Sequence, residues 1–100
     1  MNKQITVSEK NGRHVCHPTH THVSPGDKVT WINATGGTIA LEFPVSFETP
    51  FEEGKGPFEG GEIQTVRQKP PLKKGQVFQP AITLNGQLLP TEGDIIVNGG

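Results

Sequence analysis

A chain of 100 residues has room for one domain with a modest core, so residues 1–100 read as a single unit. A net charge of −1 and a pI near 6.4 give no basic field for nucleic acid or anionic lipid, and a lone cysteine excludes an intrachain disulfide. No charged-then-apolar leader opens the chain and no apolar run approaches the roughly 18 residues that span a bilayer, so membrane insertion is not expected.

Hydrophobic residues make up only 31%, against 13 Gly and 9 Pro, but they are grouped in short alternating runs, which reads as strands joined by many turns. "QITVS" (4–8) alternates Ile5 and Val7 with polar residues, as a half-buried strand does. Asn11-Gly12 suits the positive φ angles of a two-residue hairpin turn, and the chain returns through "RHVCHPTHTHV". "SPGD" (24–27) is a turn, "KVTWIN" (28–33) a strand with Val29 and Trp31 on one face, and "TIALEF" (38–43) a further strand after "ATGG".

From Pro44 to Gly61 the chain is too rich in Gly and Pro for a helix, and Phe47, Phe51 and Phe58 are placed to pin a long loop to the rim of the core. "EIQTVRQ" (62–68), "VFQPAITL" (77–84) and "GDIIVNG" (93–99) read as strands, with a turn at Asn85-Gly86. Pro80 implies an edge position or a bulge. About seven short strands predict an all-β sandwich or barrel, antiparallel in the main. The expected core is Val23, Val29, Trp31, Ile39, Leu41, Phe43, Val66, Phe78, Ile82, Ile95 and Val97.

"CHPTHTHVSPGDKVTWIN" is similar to the signature strand pair of the cupredoxins, the plastocyanin-like copper proteins, whose pattern runs F-x-P, a β-branched stretch ending in Val, then G-D-x-V-x-W-x-N. Pro18, Val23, Gly26, Asp27, Val29, Trp31 and Asn33 match, and Cys16 stands where the pattern has Phe. "GQVFQPAITLNGQLLPTEGDIIVNG" also resembles the last hairpin of copper-free domains of this type. The resemblance implies a Greek-key cupredoxin-like fold and favours an extracytoplasmic setting. Its copper chemistry is not expected to carry over. A blue-copper centre needs two imidazoles and a thiolate, usually with an axial Met. The family's first His follows the "WxN" strand, where this chain has "ATGGTIA"; its Cys, second His and Met precede the last strand, where this chain has "QPAITLNGQLLPTEG". No histidine lies beyond residue 22, and Met1 is the only methionine.

Every histidine and the cysteine fall instead in "HVCHPTHTH" (14–22). On a strand His20 and His22 point to one side, and such a pair can bring two nitrogens to Zn, Cu(II) or Ni. The resemblance puts Cys16 in the core, away from those imidazoles. Pro18 is a place for a bulge that would change facing and let His17 or His14 add a third nitrogen. The metal candidates are therefore His20, His22 and His17, against a plain solvated strand or a pH-sensitive contact surface.

Glu42, Glu48, Glu52, Glu53, Glu59 and Glu62 precede a run with Arg67, Lys69, Lys73 and Lys74, either two lobes of a docking face or ordinary solvated loops. Asn33-Ala34-Thr35 fits a glycosylation sequon, but Asn33 is better explained by the strand-ending turn that the resemblance places there. No nucleophile–base spacing, phosphate-cradling loop or paired acid–base carboxylates are present, so no catalytic or cofactor-binding residues are assigned and an enzyme is not expected. The expectation is a non-enzymatic cupredoxin-like binding or structural module with a protein partner, no nucleic acid, and no cofactor. The alternative is a metal-binding protein that holds Cu, Zn or Ni weakly on the histidine cluster.

Overall fold

Two Asn-Gly dipeptides set the frame. Asn11 (φ 55°) with Gly12 (φ 79°) and Asn85 (φ 51°) with Gly86 (φ 85°) take the positive φ angles that match the twist of a tight hairpin. The first joins β1 (Asn2–Lys10) to β2 (Arg13–Val23), the second β8 (Ala81–Leu84) to β9 (Gln87–Leu89), both antiparallel. The computed structural model describes residues 2–43, 49–54, 56–68 and 72–98. Their other strands are β3 (Lys28–Asn33), β4 (Ile39–Glu42), β5 (Phe58–Glu59), β6 (Ile63–Thr65), β7 (Val77–Phe78) and β10 (Thr91–Val97). These ten strands exceed the seven expected because very short pieces such as β5 and β9 become strands only through their partners.

The strands form a sandwich of two sheets, one in the order β6-β3-β1-β2-β10-β7 and the other β5-β4-β8-β9. Pairing is antiparallel except at β1–β3 and β2–β10. All eleven expected core residues are buried between the sheets, joined by Ile5, Val7, Cys16, Phe51, Phe58 and Leu72. Trp31, Phe43, Phe51 and Phe58 form a continuous aromatic row with successive centroids 6.4, 5.4 and 6.0 Å apart, the last two contacts edge-to-face. Phe51 and Phe58 thus pin the loop as expected; Phe47, Glu48 and Lys69 lie outside the described residues.

Pro80 occupies neither a plain edge nor a bulge. The run Val77–Leu84 leaves one sheet, where β7 pairs with β10, and enters the other, where β8 pairs with β4, and Pro80 sits at the corner between them. A proline suits the corner because the ladder breaks there and needs no N–H. At the "SPGD" turn the Asp27 carboxylate accepts the Ser24 N–H at 2.9 Å, and Gly26 supplies a φ of 87°. Asn33 is committed to its own turn: its Nδ2 donates to the Gly37 carbonyl at 2.6 Å, and its Oδ1 accepts from the Thr35 N–H and hydroxyl at 2.9 and 2.6 Å.

Candidate histidine face on strand β2

Strand β2 changes phase half-way along. His14 and Cys16 face the core, as do Thr21 and Val23, whereas residues 17–20 and His22 are exposed. Strict alternation would put His14, Cys16, His20 and His22 on one face, so four residues cannot be related by a regular strand. The ladder with β10 shows where the slip occurs: Glu92 stands opposite Val15 and Asp94 opposite His20. Gly93 alone therefore spans the length taken on β2 by Cys16, His17, Pro18 and Thr19. The bulge anticipated at Pro18 is present, and its effect is to keep Cys16 in the core while turning His20 and His22 out to solvent.

Gly93 allows this. A Cβ on it would stand 2.5 Å from the Cys16 Cβ and 2.6 Å from Sγ, closer than any side chain tolerates. Cys16 is a free, buried thiol, with its pKa pushed up to about 11 by burial and secondarily by the charge of Asp94. It is a packing residue.

On the outer face, His20 Nδ1 lies 2.7 Å from Asp94 Oδ1, with the imidazole well exposed and the carboxylate partly covered. His22 stands opposite Ile96. His17 belongs to the other flank of β2, opposite Thr6 of β1. His14, opposite Thr91, is fully buried and takes no part in the exposed cluster. Neither of its ring nitrogens nor Thr91 Oγ1 has a hydrogen-bond partner. Burial lowers the His14 pKa below 6.5; the Ile82 carbonyl, which faces the ring without reaching hydrogen-bonding geometry, and the Glu9 carboxylate oppose the shift. Among the described residues no group of three or more His, Cys, Asp or Glu side chains is assembled to hold a metal ion.

A second surface was not anticipated from the sequence. Two shallow grooves of about 570 and 520 Å³ flank Leu88 on the four-stranded sheet, the first bordered by Gln79, Pro80 and Pro90, the second by Ala40, Glu42 and Pro57. Leu88 is 64% exposed between them. Asp94 also carried no sequence signal, since 74 positions separate it from His20 and only the ladder brings them together.

The same architecture occurs in pseudoazurin from Methylobacterium extorquens AM1, with a TM-score of 0.54 and 16% identity over 100% of this chain and 77% of that one. The fold is that of the cupredoxins. Two amicyanin variants agree: one in an oxidised form with a TM-score of 0.52, one in a reduced Cu(I) form at 0.51. Each shares 18% identity over 94% of this chain and 81% of the other. No protein-family model and no curated protein matches the chain. The cupredoxin-like domain thus shares a fold with the Cu(I)-bearing amicyanin, while its own thiol, Cys16, points into the core and His20 and His22 of the same strand point out.

Proposed function

We propose that this cupredoxin-like domain is a non-enzymatic binding module without a blue-copper centre, working in an extracytoplasmic setting. One observation carries the reading. Cys16, the only thiol, points into the core, whereas His20 and His22 of the same strand point out. A trigonal thiolate–imidazole set needs all three donors on one side of the backbone, so the residues present do not fit a type-1 copper ion. The segments 34–40 and 79–93, where the resemblance would place the family's ligands, contain no His, Cys or Met.

The binding role draws on the grooves beside Leu88, an exposed apolar residue on a sheet face suited to a protein partner. Titration with Cu(II), followed by visible absorption, tests the copper part. The expected result is no intense thiolate-to-copper charge-transfer band, and its appearance would overturn the assignment.

A second reading is favoured by the exposed His20–Asp94 contact: weak binding of Zn, Cu or Ni on His20 and His22, with His17 as the further candidate. Metal content of protein purified without an affinity tag checks it.

A further inference from the structure

We propose that Asp94 is the positioning residue of a two-imidazole metal site, holding His20 as the Nδ1–H tautomer so that Nε2 of His20 and the ring of His22 bind one divalent ion. This inference rests on the metal-binding reading above and adds to it the residue that orients the site.

The arrangement follows from strand register. The bulge at Cys16–Thr19 turns His20 and His22 outward on the same side, and the resumed ladder sets Asp94 directly beside His20. An ionised carboxylate only accepts hydrogen bonds, and a neutral imidazole has one N–H and one lone pair. The 2.7 Å contact between Asp94 Oδ1 and His20 Nδ1 therefore places the proton on Nδ1 and the lone pair on Nε2. A carboxylate on the far nitrogen of a ligating histidine fixes ring orientation and raises its basicity, the arrangement that supports imidazole ligands in metal sites.

The surroundings suit this role. Glu92, the neighbouring outward carboxylate of β10, is taken up by Arg13. His22 stands opposite Ile96, whose apolar side chain does not compete with an ion for the imidazole nitrogens. Asp94 is engaged as an acceptor, which is consistent with a site of two protein nitrogens completed by water, not three protein ligands. Two imidazoles select Zn(II), Cu(II) or Ni(II) over the oxygen-seeking Mg(II) and Ca(II). His17, on the β1 flank opposite Thr6, is left out.

The test uses the full chain without an affinity tag and Zn(II) alone, by calorimetric titration on the wild type, Asp94→Asn, His17→Ala and the double variant His20→Ala/His22→Ala. Nitrogen chemical shifts of the imidazoles in the metal-free protein report the tautomer. We expect Zn(II) binding in the wild type and its loss in the double variant. Asp94→Asn should weaken binding by about 10–100-fold, and His17→Ala should leave it unchanged. His20 should be the Nδ1–H tautomer in the wild type and lose that preference in Asp94→Asn. Wild-type affinity in Asp94→Asn, or an Nε2–H tautomer in the wild type, removes Asp94 from the site while leaving the metal reading intact. No Zn(II) binding in the wild type, or undiminished binding in the double variant, overturns that reading and this inference together.

Discussion

Gly93 and Cys16 approach each other across β10 and β2 so closely that the glycine has no room for a side chain: a Cβ would stand 2.5 Å from that of Cys16. This contact lies at the point where one residue of β10 spans four of β2, and it fixes which carboxylate stands beside His20.

Gly93→Ala should destabilise the protein by about 1–3 kcal/mol, the usual result of overfilling a packed site. The same change should part His20 from Asp94, because β10 must back away from the bulge to admit the methyl group. Urea denaturation measures the first effect and the His20 tautomer the second. An unchanged midpoint would mean that the bulge yields freely.

Trp31→Ala should cost on the order of 3–5 kcal/mol. Trp31 is 1% exposed and heads the aromatic row through Phe43, so the cavity would open at the centre of the sandwich. With no disulfide and a net stability of about 5–15 kcal/mol typical of domains, the melting temperature should fall steeply. A near-wild-type melting temperature would contradict the packing described.

Acid should destabilise the fold in two separate windows. Burial holds the His14 pKa below 6.5, so the unfolded chain takes up that proton first. Stability from His14 is complete above about pH 6.5 and is lost as pH falls from there through the lower folded value. Burial pushes the Glu53 carboxyl up, but hydrogen bonds outweigh it, chiefly that from the Thr65 N–H at 2.7 Å, and leave the pKa below 4.5. Its contribution is lost below that pH. Denaturation midpoints measured across pH should flatten in the upper window for His14→Leu and keep the lower one. A wild-type profile in the variant would rule His14 out as the source.

Cys16 should resist alkylation at neutral pH in the native protein and react at once in denaturant. The thiolate is the reacting species, and a pKa of about 11 combined with burial leaves little of it and hides that. Native modification as fast as that of a free thiol would show that β10 opens readily over the bulge.

The sequence carried most of the fold because its signals are local. Asn11-Gly12 and Asn85-Gly86 dictate hairpins by backbone preference alone, and alternation around Trp31 and Ile95 marks the core face. What it did not reveal depends on partners far along the chain. β5 and β9 have too few residues for a periodic pattern, and the parallel β1–β3 and β2–β10 pairs have no turn to announce them. Pro80 signalled an interruption but not that the chain changes sheets there. At the candidate site, the spacing of His20 and His22 was legible, and Pro18 marked the bulge. Asp94 was not, because its place beside His20 depends on Gly93, and Gly93 on the depth of Cys16. The burial of His14 and Gln64 was equally hidden, since polar residues in a core give no pattern of their own.

The corner at Pro80 binds the two sheets into one cooperative unit. Val77 and Phe78 are paired with β10 in one sheet, and Ala81 to Leu84 are paired with β4 in the other, with only Gln79 and Pro80 between. Neither layer can peel away without dragging a strand out of its neighbour. Amide hydrogen exchange in β4 and β10, on opposite layers, should therefore report the same opening free energy, that of global unfolding.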